Sequence, residues 1–189
     1  MLQPKLLINV LDVLNENQID YMITGSLVSS IQGEPRATHD IDIVINITRA
    51  DIPSFIKVFM PPHYYISEPA IEEAIQHKSM FNLLDTTGGD KVDFWILTDE
   101  PFDLSRFARK HEENMLGVTM KISAPEDTIL MKLKWSKLSG GSEKQFMDAV
   151  RVYEVQYGKL DHQYMEKWVQ TLDIKEFFER LKEKAEPIK

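Results

Sequence analysis

Apolar positions along the chain recur with two different periods. Between residues 4 and 16, Leu6, Leu7, Val10, Leu11, Val13 and Leu14 return every three or four places, as one face of a helix does. Tyr21 to Thr24 then reads as a short strand, and residues 26–32 as the helix after it. The run Asp40-Ile41-Asp42-Ile43-Val44-Ile45 is rich in β-branched residues and predicts a strand from His39 to Ile47. Asp51-Ile52-Pro53 signals a helix start, with Phe55, Ile56, Val58 and Phe59 as its expected buried face and Pro61-Pro62 as its stop. A helix is expected over 68–76, two strands over Met80–Leu84 and Lys91–Leu97 around a Gly-containing turn, a helix over 103–110 and a strand over Val118–Ile122.

From Pro125 onward the period is helical throughout. Glu126, Ile129, Leu130, Leu133 and Leu138 share one face, Gly140-Gly141-Ser142 breaks the run, and a second helix covers 143–157. Asp161–Gln170 and Asp173–Lys184 follow, each opening with an acid at the cap position. Trp135, Trp168, Phe177 and Phe178 fall at helical spacings and are expected in the core. The layout is α+β: a mixed β-sheet flanked by helices over 1–122, then a C-terminal helical bundle over 123–189.

Composition narrows the function more than the fold. The 189 residues are 43% hydrophobic and 28% charged, as in ordinary globular proteins, and no apolar run is long enough to span a bilayer. The first residues lack the pattern of a signal peptide, so the expected compartment is the cytoplasm, with no membrane partner. There is no cysteine, which excludes disulfides, zinc–thiolate sites and cysteine nucleophiles. A net charge of −8 argues against strong generic nucleic-acid binding, although Lys132, Lys134 and Lys137 cluster locally and leave an RNA substrate open. The five histidines have no metal-ligand spacing, and no G-x-S-x-G is present.

Candidate chemistry concentrates between Gly25 and Val44. On a strand, Asp40 and Asp42 project to one face while Ile41 and Ile43 face the other. Adjacent carboxylates repel, and a hard divalent cation between them relieves the repulsion. The same D-x-D also arises as the wet face of an edge strand. Gly25 permits a sharp turn, and Ser26 begins a helix whose free N–H groups attract anions. A third acid, Asp93, alternates with Val92, Phe94 and Ile96, where burial without a metal or solvent would be costly.

In order and spacing, Gly25-Ser26, a short helix and Asp40-Ile41-Asp42 resemble the signature of the DNA polymerase beta-type nucleotidyltransferases. Arg36-x-Thr38-x-Asp40-Ile41-Asp42 is most similar to the AbiEii-type toxins and their small stand-alone relatives. The resemblance implies a nucleotidyltransferase fold in which Asp40, Asp42 and Asp93 bind magnesium or manganese and carry catalysis. It implies that an NTP is the substrate, that pyrophosphate leaves, and that the acceptor is a hydroxyl of RNA, protein or a small molecule. Gly25, Ser26, Arg36, Thr38, Lys132 and Asp148 form the implied nucleotide-binding set. Within it, Lys132 contacts phosphate and Asp148, in Lys144-x-x-x-Asp148, supports Lys132 across the helices. Lys134 substitutes for Lys132 if the helix face is rotated, and His39 stands at the rim or is incidental. Arg36 and Thr38 serve either the triphosphate or the loop itself. The competing readings are a non-catalytic nucleotide-sensing module and a toxin-like component neutralised by an antitoxin partner.

Overall fold

A computed structural model of the chain describes residues 4–38, 40–115 and 117–187. Its helices and strands follow in order as α1 (Pro4–Glu16), β1 (Asp20–Thr24), α2 (Gly25–Gln32), β2 (Asp40–Asn46), α3 (Ile52–Val58), β3 (Tyr64–Tyr65), α4 (Glu68–His77), β4 (Met80–Asp85), β5 (Lys91–Ile96), α5 (Pro101–Ala108), β6 (His111–Met115), β7 (Val118–Ile122), α6 (Pro125–Leu138), α7 (Glu143–Gln156), α8 (His162–Thr171) and α9 (Lys175–Lys184). They fall into two compact units: the described residues up to Thr24 with Ala37–Ile122, and Gly25–Arg36 with the described residues from Ser123. The segment 25–36 thus groups with the helices that come after residue 122.

The first unit is built on a mixed sheet with strand order β3-β4-β5-β2-β1-β7-β6. The β-branched acid strand β2 lies at its centre, parallel to β5 and antiparallel to β1. Ile41, Ile43 and Ile45 are fully buried on one face, as the period of two requires. On that face the register aligns Ile43 with Phe94 and Phe94 with Phe81, and Phe55 of α3 meets the Phe94 ring edge-on at 5.4 Å between centroids. The opposite face carries the acids and, beyond them, a smaller cluster of Met22, Val44 and Phe107 with Trp95 and Leu97 packed against it.

In the second unit, α2 packs on α6 and α7, and α6 and α7 pack on each other. Gly33, just after α2, approaches α7 so closely that a Cβ there would lie 2.9 Å from the Val152 amide nitrogen and 3.0 Å from the Arg151 carbonyl carbon. The buried face of α6 is unusually polar, and partners account for it. Glu126 accepts from the Asp161 amide at 2.8 Å, Asp127 accepts from the Tyr164 hydroxyl at 2.7 Å, and Ser136 donates to the Ser142 carbonyl at 2.9 Å. Among the described residues, no helix is long and apolar enough to cross a membrane.

Several expectations need correction. Val58, expected inside, is 49% exposed because α3 turns only Ile52 and Phe55 fully inward. Trp135 is 38% exposed and Leu138 is exposed as well, since the buried face of α6 runs through Ile129, Leu130, Lys132, Leu133 and Ser136 and leaves those two positions outside it. Strands β3 and β6 went unforeseen: one has two residues and the other reads His-Glu-Glu-Asn-Met, and both exist through pairing with β4 and β7 at the sheet edges. His39 lies outside the described residues.

Candidate active site

The sheet register assembles the acids of the first unit. Asp42 pairs with Asp93 on β5, Asp93 pairs with Asn82 on β4, and Asp42 pairs with Thr24 on β1. Neighbouring residues in register share a face, so Asn82, Asp93, Asp42 and Thr24 form one row across four strands. One step along, Asp40 pairs with Lys91, which stands two residues before Asp93 and therefore on the same face. Two carboxylates and a third acid thus meet a lysine in one block of adjacent strands.

Each acid has a different setting. Asp40 is exposed and Asp42 half-buried, with the Trp95 indole N–H donating to Asp42 Oδ1 at 3.3 Å. Asp93 is only 8% exposed. The Lys91 ammonium lies 2.8 Å from its Oδ2, and the Asn82 amide donates to its Oδ1. A lysine and an amide thus pair with the buried Asp93 carboxylate. Its hydrogen bond to Asp93 holds the Lys91 ammonium above its ordinary pKa against the effect of burial, with the charges of Asp93, Asp40 and Asp42 adding to it. Among the described residues, no group of three or more His, Cys, Asp or Glu is arranged to hold a metal ion as it stands. Thr38, on the approach to β2, donates to the Asp40 carbonyl at 3.2 Å and so braces its own loop.

The second unit carries a separate cluster. Gly25 starts α2 at a φ of 71°, a left-handed conformation that suits glycine. Ser26 Oγ accepts from the Arg36 guanidinium at 3.1 Å and from the Lys132 ammonium at 3.3 Å. Asp148 closes the network: Oδ2 lies 2.7 Å from both cations, and Oδ1 accepts from Arg36 Nε at 3.1 Å. Lys132 is 4% exposed, so it is no solvated helix lysine, while Lys134 is half-buried. Ser30 Oγ donates to the Arg36 carbonyl at 3.3 Å and fixes the loop that presents the guanidinium. Burial raises the Asp148 pKa, but the hydrogen bonds from Arg36 and Lys132 outweigh it and hold the carboxyl below its ordinary range. Beside this network, Ser29, Glu34, Pro35, Arg36, Lys144, Met147, Asp148 and Arg151 line a cavity of about 420 Å³.

Lys91, Asn82 and Trp95 were not singled out from the sequence. Lys91 was legible, since Lys91-Val92-Asp93 puts it on the Asp93 face by alternation. Asn82 required the β4–β5 register, and Trp95 required knowing that its face carries Asp42.

No family model and no curated protein matches the sequence. Solved structures do match over most of its length. ANT(2″)-Ia in complex with adenylyl-2″-tobramycin aligns with a TM-score of 0.57 at 13% identity, covering 93% of this chain and 97% of that one. An antigenic nucleotidyltransferase-like protein from Paracoccidioides brasiliensis aligns with a TM-score of 0.55 at 18% identity, over 97% and 94% of the two chains. The lincosamide antibiotic adenylyltransferase LnuA, with lincomycin bound, gives 0.53 at 16% identity over 82% and 98%. The chain has the nucleotidyltransferase fold. In this nucleotidyltransferase fold the acid strand is the central strand of the sheet, and Gly25-Ser26 follow directly on β1.

Proposed function

We propose that the chain is a nucleotidyltransferase that moves a nucleoside monophosphate from an NTP to an acceptor hydroxyl and releases pyrophosphate. The observation that carries this reading is the register pairing of Asp42 with Asp93, with Asp40 one step along the same face. These are hard oxygen donors of the kind magnesium or manganese takes, and such a cation when bound would neutralise phosphate charge. Asp40, Asp42 and Asp93 are the residues assigned to hold it. The acceptor oxygen bonds to the α-phosphorus, the bond to the pyrophosphate oxygen breaks, and Asp93 is the residue assigned to take the hydroxyl proton.

Ser26, Arg36 and Lys132 are assigned to the phosphates, since two cations and the start of α2 favour an anion. Asp148 keeps both cations aimed, and Gly25 and Thr38 shape the backbone on either side. Of the three acceptor classes, a net charge of −8 favours a small-molecule or protein hydroxyl over RNA. The fold neighbours bound to lincomycin and to adenylyl-2″-tobramycin support the small-molecule choice. An AbiEii-type toxin with an antitoxin partner is the finer reading that the motifs at 36–42 and 144–148 support.

A second reading has one observation in its favour. The Ser26–Arg36–Lys132–Asp148 network is fully made in this structure, whereas the acids do not converge on a cation position. That is what a nucleotide-sensing module without catalysis would need. Calorimetry with each NTP, with and without magnesium, separates the two. For the transferase, Asp42→Asn abolishes the magnesium-dependent part of binding, Lys132→Met weakens binding in both conditions, and pyrophosphate appears once an acceptor is supplied. Binding that is indifferent to Asp42→Asn and to magnesium establishes the sensor instead.

A further inference from the structure

The cavity of the second unit has no part in the transferase reading. One wall is a single face of α7, where Lys144, Met147, Asp148 and Arg151 follow at spacings of three and four. The other wall is the loop after α2, with Glu34, Pro35 and Arg36. Gln156 Nε2 donates to the Gln32 carbonyl at 2.8 Å and Gly33 lies against the Arg151 and Val152 backbone, so the two walls are fixed to each other. The charges that line the cavity are unbalanced. Its two acids are engaged, Asp148 by Arg36 and Lys132 and Glu34 by Arg151 at 3.1 Å. Lys144 is exposed and makes no ion pair among the described residues. Both partners of the Arg151–Glu34 pair are exposed as well, and such pairs hold weakly.

We infer that this cavity is a second ligand site, for a small molecule that carries an oxyanion, a phosphate monoester or a carboxylate, on an apolar body. The Lys144 ammonium supplies a positive charge that no protein acid answers. The Arg151 guanidinium presents the planar donor fork that suits either oxyanion, and an entering anion can replace Glu34 there. The body is required by size: about 420 Å³ is far more than a bare anion fills and lies within the roughly 300–1,000 Å³ of small-molecule sites. Met147 and Pro35 give that body an apolar contact, the thioether adapting to its shape. The site is distinct from the assigned phosphate position. Ser26 and Lys132 are not in its lining, and Arg36 and Asp148, which bond to them, form the partition between the two.

The test is calorimetry on the full chain with phenyl phosphate, phenylacetate and, as the uncharged control, benzyl alcohol. At least one of the two anions is expected to bind, and Lys144→Glu to weaken it about tenfold, with benzyl alcohol weaker than either. The tighter of the two anions names the oxyanion. Lys144→Glu is expected to keep the wild-type melting temperature, because the side chain is exposed and unpaired; should it melt early, Lys144→Gln carries the same expectation with a loss of about threefold. Saturating NTP is expected to leave phenyl phosphate binding in place. Absence of binding by both anions at about 10 mM, or binding indifferent to Lys144→Glu and Lys144→Gln, overturns the inference. Displacement of phenyl phosphate by NTP also overturns it, since the cavity then belongs to the nucleotide, and leaves the transferase reading standing. Anion binding that depends on Lys144 in a chain that binds no NTP upholds this site and overturns the transferase reading instead.

Discussion

Asp148 shows how one residue sets the character of the Ser26–Arg36–Lys132 cluster. Its carboxylate accepts from Arg36 and Lys132, two cations that would otherwise repel each other beside Ser26. Because those bonds hold its pKa below the ordinary 3.8, the folded state binds its proton less readily than the unfolded chain does. The stability it supplies is therefore fully present above pH 3.8 and is lost as the pH falls through the lower, folded value. Asp148→Asn is expected to destabilise the protein by about 1–3 kcal/mol at neutral pH, the usual scale for losing a charged hydrogen-bond partner. In denaturant titrations at a series of pH values, the gap between variant and wild type should close on acidification below 3.8. A gap that persists at low pH would assign the loss to shape rather than charge.

Among elements, α2 and the loop after it place more of the chemistry than their length suggests. Ser26 lies on the first turn of α2 and Arg36 ten residues later, with Gly33 between them against the α7 backbone. The atoms a Gly33 Cβ would meet are backbone atoms of Arg151, Val152 and Ser29, which cannot rotate away. Gly33→Ala is thus expected to cost about 1–3 kcal/mol by overpacking. It should also weaken NTP binding, because Arg36 shifts with its loop; thermal melts and calorimetry on the same variant check both. In the sheet, alternation along β2 and β5 makes acid positions on one face follow from aliphatic and aromatic positions on the other. A shift of one residue between these strands would bury Asp42 and expose Ile43, so the core enforces the register that aligns Asp42 with Asp93.

For the whole molecule, charge is the dominant property. With 30 acids against 22 basic residues, the long-range field repels polyanions, and cationic groups such as Lys132 and Arg36 are tied into ion pairs with Asp148. Mobility-shift assays with random-sequence RNA and DNA at near-physiological salt are expected to show no binding even at the roughly 10⁻⁴ to 10⁻⁶ M typical of nonspecific binders. Micromolar, salt-sensitive binding would return RNA to the acceptor list.

Local pattern alone determined the order of the elements other than β3 and β6, the α+β class, the alternation that points Asp40 and Asp42 to one side, and the small-residue turn at Gly25-Ser26. These depend on chemistry within a few residues, where period and backbone preference dominate. Three things belonged to the tertiary structure. Edge strands β3 and β6 exist only because β4 and β7 offer free hydrogen-bonding edges. The grouping of 25–36 with α6 to α9 follows from contacts about a hundred residues apart in the chain. The Asn82 partner of Asp93, on the neighbouring strand, emerged from strand register, whereas Lys91, 2.8 Å from Asp93, shares its face by alternation along β5. A one-dimensional pattern shows which way a side chain faces, but which charge it meets there is decided by the strands packed on either side.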